Sequence, residues 1–332
     1  MEIVEGSSSR PVEFRSPVVT IGNFDGVHIG HQEIFQIVTA RAREVKGVSI
    51  CYTFTPHPQK IIAPERCLPL IVTRRKKLAL IAAQGIDVLV EEPFTREFSE
   101  LSAAEFMKNV LFSRIHPYEL YVGHDFHFGK GREASFSVMQ GMGEELGFSV
   151  NMIEEIMSNN QEVSSSRIRR LVAEGDVEAA SLLLGRSYTV EGTVVTGAAR
   201  GRALGFATAN IDALNELLPA DGVYAVFGRL GDPPGENSGT GASLPLTRAK
   251  LLPGVANMGF APTFGRDRRT LEVHFLDVEG DQYGNYVEIL FLARLRGEEK
   301  FTGPETLAEQ IREDVTLARK IHAANAWRLD RE

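Results

Sequence analysis

His28 and His31 stand three apart in Gly22-Asn23-Phe24-Asp25-Gly26-Val27-His28-Ile29-Gly30-His31, a stretch with glycines at 22, 26 and 30. Imidazoles donate hydrogen bonds and carry charge near neutral pH. Glycines let a ligand approach the backbone closely. Where His31 opens a helix, the unpaired N–H groups of that helix start add an anion site. Such a set suits a polyphosphate. The alternative from spacing alone is a Gly-rich connection with two satisfied histidines. A second polar cluster, Ser164-Ser165-Ser166-Arg167-Ile168-Arg169, sets hydroxyls beside guanidinium groups at another helix start. That is again a phosphate cradle, or else a plain helix cap. Farther on, alternation along Leu271-Glu272-Val273-His274-Phe275 puts Glu272 and His274 on one strand face, where a solvated glutamate is the ordinary reading.

The elements that must position these groups follow from apolar patterning. Val18 to Ile21 reads as a buried strand, and Ile34, Phe35, Val38, Ala42 and Val45 form a helical stripe after the His turn. Val48 to Phe54, Asp87 to Val90, Glu119 to Val122 and Phe148 to Ile153 read as further strands. Between them, Thr73 caps a helix over 74–84 that Gly85 ends, and Ser102 with Glu105 forms a capping box for a helix over 103–111. This βαβα rhythm predicts a doubly wound, mostly parallel sheet, whose ligands sit beyond the C-terminal strand ends. The His turn, Thr55-Pro56-His57-Pro58 and the Gly123–Gly131 loop all lie at such ends.

The pattern changes at Gly185-Arg186. Strand-like runs at 188–195, 223–230, 271–275 and 286–295, joined by Gly- and Pro-rich connections, predict a small antiparallel β-barrel. A closing helix over 304–325 has Leu307, Ile311, Val315, Ala318 and Ile321 as its packing stripe. Gly231 to Ser243 reads as a surface loop. The expected fold class is thus α/β: an N-terminal parallel-sheet domain, 1–185, and a C-terminal barrel with a terminal helix, 186–332. At 332 residues, two domains are the default.

Composition narrows the partners. The formal charge is −8, from 36 basic and 44 acidic residues, which argues against broad nucleic-acid or anionic-membrane binding. Cys51 and Cys67 form neither a disulfide framework nor a zinc spacing, and Cys51 lies in an apolar strand as a buried thiol. The opening residues lack the pattern of a secretory signal, and no run approaches the ~20 apolar residues of a membrane helix, so the expected location is cytoplasmic. An oligomer is compatible with this sequence.

The string from Gly22 to Gln32 resembles the bacterial bifunctional riboflavin kinase/FMN adenylyltransferase family, whose His-Ile-Gly-His turn is a mark of nucleotidyltransferases. Three more stretches are similar to that family in the same order: Thr53 to Pro58, Val122 to Lys130, and Val163 to Arg169 with Ser166 in place of a threonine. The resemblance implies that His28, His31 and Arg169 are catalytic at an adenylyl-transfer site. It implies that Asn23, Phe24, Gly26, Asp125, Ser165 and Ser166 bind nucleotide, Asp125 on the ribose or FMN side. Phe54, His57, Phe126 and Phe128 would face the flavin; core packing, or a turn role for His57, is the alternative for each.

Gly197 to Asn210 resembles the family's riboflavin kinase motif, in which a Gly-rich loop, here with Gly201, Arg202 and Gly205, covers ATP. The resemblance implies Mg2+ held by Thr208 and Asn210, neutral oxygens suited to that ion, and Glu272 as catalytic base. Ala207 occupies a position that is proline in the family, which predicts a looser loop with the ligand atoms intact. Segments 221–226, 254–264 and 295–301 are also family-like. The implied activity is ATP-dependent phosphorylation of riboflavin to FMN, then adenylyl transfer giving FAD and pyrophosphate. Two rivals are a nucleotidyltransferase for another phosphorylated alcohol and a flavin-binding protein without turnover. The motif from Phe206 to Asn210 with Glu272 speaks against the first; only Ala207 speaks for the second. An aminoacyl-tRNA synthetase would need a Lys-Met-Ser-Lys-Ser segment that this sequence lacks.

Overall fold

The computed structural model describes residues 1–6, 13–66, 68–124, 126–158, 161–197, 206–231, 250–260, 269–278 and 282–326. Cys67, Asp125, Gly201, Arg202, Gly205 and nearly all of the 231–243 loop lie outside them. The chain divides into two units: one of Met1–Leu68 with Arg74–Val163, the other of Pro69–Thr73 with the chain from Ser164 onward.

The first unit holds a six-stranded parallel sheet of β1 (Glu2–Glu5), β2 (Val18–Ile21), β3 (Ser49–Thr55), β4 (Val88–Pro93), β5 (Glu119–Gly123) and β6 (Ser149–Ile153). Their order is β1-β4-β3-β2-β5-β6. Successive side chains alternate faces. Val18, Cys51 and Leu89 pack against Ile34, Phe35 and Val38 of the helix Ile29–Glu44 and against Leu78 and Ile81 of the helix Arg74–Ala83. Val19, Ile50, Tyr52 and Val90 pack on the other face against Phe106, Met107 and Leu111, and Met139 of the helix Phe136–Leu146. Burial on both faces explains why β2 to β4 read as continuous apolar runs. The sheet is doubly wound, as expected. β1, whose Ile3-Val4 is flanked by glutamates, is a strand that patterning did not mark.

Ser102 and Glu105 form the expected capping box, but the helix does not stop near 111. It continues to Ile115 with Phe106–Phe112 wound as a π-helix, and His116 ends it in the left-handed region. β7 (Met157–Ser158) and β8 (Gln161–Glu162) pair as a small ribbon.

In the second unit the helices Ser165–Glu174 and Val177–Leu184 end at Gly175 and Gly185, both with positive φ. A closed barrel follows: β9 (Tyr188–Val195), β10 (Ala209–Ala213), β11 (Gly222–Gly231), β12 (Leu251–Phe260), β13 (Arg269–Phe275) and β14 (Tyr286–Arg296), in the order β10-β13-β12-β11-β14-β9. β10 and β12 were not expected. β10 is short, and Pro253 and Gly254 inside β12 read as turn punctuation. The helix Pro304–Ala324 covers Val223, Ala225, Phe227, Leu290 and Leu292. Its buried residues are Ala308, Asp314, Ala318 and His322, and Val315 and Ile321 of the expected stripe pack on the same core as Ala318. Both polar members have partners: Arg296 Nη2 donates to Asp314 Oδ2 at 2.9 Å, and His322 Nε2 donates to the Val226 carbonyl at 2.9 Å.

Candidate active sites

Strand order in the first unit reverses at β2: β3 and β4 lie to one side of it, β5 and β6 to the other. Ligands of doubly wound sheets bind at that switch point. The His turn leaves β2 there. The turn is tightly wound, with positive φ at Phe24, Gly26 and Val27. For a β-branched residue such as Val27 this is a costly conformation, held here by burial and associated with functional turns. Phe24 is 3% exposed and packs on Phe35, with ring centroids 4.8 Å apart. Its ring is therefore a core anchor, and what it offers a ligand is backbone. Asn23 is exposed, and its carbonyl accepts from the Thr53 hydroxyl at 3.3 Å, tying the turn to the end of β3.

His28 is the N-cap of the helix Ile29–Glu44: its Nδ1 accepts from the His31 N–H at 3.3 Å. A neutral His28 so engaged carries its proton on Nε2. The two imidazoles stack, with centroids 3.5 Å apart and planes at 20°. The first helical turn contains no acidic residue, so nothing there opposes an anion at the positive helix end. Gln32 Nε2 donates to the Val27 carbonyl at 2.9 Å and fixes the turn from behind.

Beneath the turn, Lys77 Nζ donates to Thr53 Oγ1 at 3.2 Å. Burial pulls the Lys77 ammonium below the ordinary lysine value, against the opposing pull of Cys51, Glu91 and Asp25. Burial likewise pushes the Cys51 thiol up, so it is an inert core group, as expected. Burial raises Glu91, but hydrogen bonds from Arg74 and Thr55 outweigh it and hold the carboxyl below the usual range.

Phe54, Phe126 and Phe128 come together. Phe54 meets Phe94 at 5.5 Å, Phe98 links to Phe106 at 6.1 Å, Phe106 to Phe128 at 5.6 Å, and Phe128 stacks with Phe126 at 6.1 Å. Phe54 and Phe126 are half-buried, whereas Phe128 is buried. His57 caps the short helix Pro58–Ile62, its Nδ1 accepting from Gln59 N–H at 3.3 Å. His124, not counted among the site residues, pairs with Glu155 at 2.7 Å.

In the second unit, Ser164 supplies the helix cap, its Oγ accepting from Arg167 N–H at 3.4 Å. Ser165 and Ser166 thus stand in the first helical turn, half-buried and exposed respectively. Arg169 is 9% exposed, and its Nε donates to the Pro69 carbonyl at 3.0 Å.

The barrel brings together two of the other predicted residues, Asn210 and Glu272. Asn210 on β10 lies directly opposite Glu272 on β13, and Glu272 lies directly opposite Asn257 on β12. Directly opposed residues share a face. Asn210, Glu272 and Asn257 therefore form one polar row. The alternate residues Ile211, Leu271 and Met258 are buried on the other face. The Asn210 amide lies over Gly197, where any Cβ would collide with it. Thr208 stands two residues before Asn210, just ahead of β10.

Two family profiles match the chain: FAD synthetase over residues 11–167 and riboflavin kinase over residues 184–322. The bifunctional riboflavin kinase/FMN adenylyltransferase of Escherichia coli (strain K12) is 35% identical over 304 residues, which are 92% of each chain. That of Pseudomonas fluorescens is 35% identical over 329 residues, covering 99% of this chain and 100% of the relative. The chain belongs to this family. Among solved structures, a chain described as a macrolide-efflux protein from Streptococcus pneumoniae superposes with a TM-score of 0.83 at 26% identity, covering 96% of this chain and 98% of that one. Among the described residues here, no helix is long and apolar enough to cross a membrane.

Several neighbours of these candidate residues carry no signal in the sequence. Asn257 sat in a stretch that patterning treated as a connection. Phe94, Phe98 and Phe106 carry no site signal in the sequence, and only their ring contacts join them to Phe54 and Phe128. Lys77 lay on a helix whose basic run Arg74-Arg75-Lys76-Lys77 reads as a solvated face.

Proposed function

We propose that residues 1–185 carry the FMN adenylyltransferase activity and residues 186–332 the riboflavin kinase activity, so that one chain converts riboflavin to FMN and FMN to FAD. The observation that carries this reading is the presence of two separate donor sets, the stacked His28 and His31 in one unit and the Asn210–Glu272–Asn257 row in the other. The limits of the two family profiles support the division. Both reactions use ATP, which supports a cytoplasmic location.

In adenylyl transfer an FMN phosphate oxygen attacks the α-phosphorus of ATP, the α–β bridging bond breaks and pyrophosphate leaves. Charge grows on the phosphate oxygens. His28, through Nε2–H, His31 and the positive end of the helix Ile29–Glu44 act on that charge. Asn23 and the backbone at Phe24 and Gly26 line the nucleotide. Ser165 and Ser166 hold the triphosphate, and Arg169 neutralises pyrophosphate. Asp125 contacts the ribose or the FMN side. The isoalloxazine ring rests on Phe54, Phe126 and Phe128, with His57 at its edge; the half-buried rings support this because they offer an aromatic platform.

In the kinase reaction the riboflavin 5′-hydroxyl attacks the γ-phosphorus and ADP leaves. Glu272 accepts the hydroxyl proton. Gly201, Arg202 and Gly205 cover the ATP. Thr208 and Asn210 would hold Mg2+: both offer neutral, hard oxygens, and Gly197 leaves space for the Asn210 amide. Bound there, Mg2+ would shield phosphate charge and orient the transferring group.

Incubation of the pure protein with riboflavin, ATP and Mg2+ tests the proposal, with FMN and FAD followed by chromatography. Glu272→Gln, which keeps the side-chain shape, should lower FMN formation by about 100- to 10,000-fold. FAD formation from supplied FMN should stay. Absence of both products from the unaltered chain refutes the activity; equal loss of both in the variant refutes two separate sites.

A further inference from the structure

We infer that His274 is a positioning residue for the kinase site: it clamps the backbone that presents Thr208. The β10–β13 ladder ends at the pair Ala209↔Val273. One step further the register would set Thr208 opposite His274, but the chain has left the sheet there. A side-chain bond replaces the missing rung. His274 Nδ1 lies 2.8 Å from the Ala207 carbonyl oxygen. A carbonyl only accepts, so Nδ1 donates. The same ring meets Phe206 edge-on, with centroids 5.6 Å apart and planes at 89°. Phe206 and Ala207 are thus held by one imidazole, and Ala209 and Asn210 by the ladder. Thr208 lies between two fixed points.

The clamp belongs to the strand that carries the proposed base. His274 and Glu272 are two apart on β13 and share a face. Movement of β13 would carry base and clamp together, so the clamp keeps Thr208 in register with Glu272. Ala207 imposes no φ restraint of its own. The looser loop expected from Ala207 is therefore restrained here from the neighbouring strand, by a hydrogen bond and a ring contact.

This inference rests on the proposed kinase site, and its test separates the two. His274→Phe keeps a ring against Phe206 and removes the donor; His274→Gln restores an N–H within reach of the carbonyl. With His274→Phe the KM for ATP in riboflavin phosphorylation should rise about three- to tenfold with kcat little changed. His274→Gln should recover most of that. FAD formation from supplied FMN should equal that of the unaltered chain. Amide hydrogen exchange over 206–210 should quicken in His274→Phe while β11 and β14 stay protected. His274→Asn, whose amide falls short of Ala207, gives the same contrast if His274→Phe does not fold. Unchanged exchange over 206–210, or a fall in kcat at constant KM, overturns the clamp. Lack of FMN formation by the unaltered chain overturns the kinase reading instead, and the exchange comparison still decides the clamp.

Discussion

The His31 backbone N–H donates to His28 Nδ1 at 3.3 Å while the two rings stack at 3.5 Å, so one residue both caps the helix and lies against its partner. Cap and chemistry can be separated by substitution. Asparagine is a strong N-cap, so His28→Asn should keep the helix and the melting temperature. It lacks the imidazole Nε2–H. Loss of one such preorganised donor should lower adenylyl transfer about 100- to 1,000-fold. Riboflavin phosphorylation should change by less than about twofold, since it belongs to the other unit. FMN and FAD yields, measured with each flavin as substrate, check this. Full FAD formation by His28→Asn would reduce His28 to a cap.

Gly30 controls where that ring sits. A Cβ there would lie 3.2 Å from His28 Nδ1 and 3.3 Å from its Cε1, closer than ordinary van der Waals contact. Alanine is the better helix former by about 1 kcal/mol, so Gly30→Ala should not lower the melting temperature on propensity grounds. It should push the His28 ring off its stack with His31. The expected outcome is about a tenfold loss of FAD formation from supplied FMN, at unchanged or raised melting temperature. A variant as active as the parent would show that the stack does not need its present geometry.

The parts of the fold that the sequence displayed are those where one period dominates. β2 and β3 are buried on both faces, so their apolar runs are unbroken, and the Ser102/Glu105 capping box has a fixed spacing. β12 was hidden because Pro253 and Gly254 imitate a turn, yet each has a ladder partner, Phe227 and Val226. The expected stripe of the helix Pro304–Ala324 does pack on the core through Val315, Ala318 and Ile321, but Asp314 and His322 beside it were not marked, because they are polar and are buried only through their partners Arg296 and Val226. The same limit applied at the sites. His28, His31 and Glu272 could be singled out by type, but Asn257 joins Glu272 only through strand register, and Phe106 joins Phe128 only through packing.

His322 links stability to pH. It is buried beside Phe227, with ring centroids 5.0 Å apart. Burial holds its imidazole below the ordinary value of 6.5, only partly offset by backbone hydrogen bonds. The folded value lies below the unfolded one, so between the two the unfolded chain binds more protons. Stability from this group is then complete above about 6.5 and is lost as pH falls through the folded value. His322→Gln keeps a donor for the Val226 carbonyl but does not titrate. Melting temperatures measured from pH 7.5 to pH 5 should fall less steeply for that variant. Parallel curves would mean that His322 binds its proton equally well in the folded and unfolded chain, so that burial does not hold it down.

Arg229, Glu288 and Glu191 form a row of charges across β11, β14 and β9, in direct cross-strand register and at 3%, 0% and 1% exposure. Arg229 Nη1 donates to Glu288 Oε2 at 3.0 Å, and Glu191 pairs with the Thr73 hydroxyl. Buried pairs are costly to break from one side, because the remaining charge stays out of water. Arg229→Met takes the arginine cation away from buried Glu288, and should cost about 3–5 kcal/mol of stability. Glu288→Gln in the same chain removes the charge of that carboxylate while keeping its volume. The double variant should recover a large part of the loss, because a buried neutral amide does not need the arginine's charge. Urea unfolding of the kinase unit, followed by fluorescence for the parent, both single variants and the double variant, reads these differences. If Arg229→Met alone is as stable as the parent, the row is not held by Arg229. If the double variant is no better than Arg229→Met, the loss comes from packing of the arginine stem and not from charge.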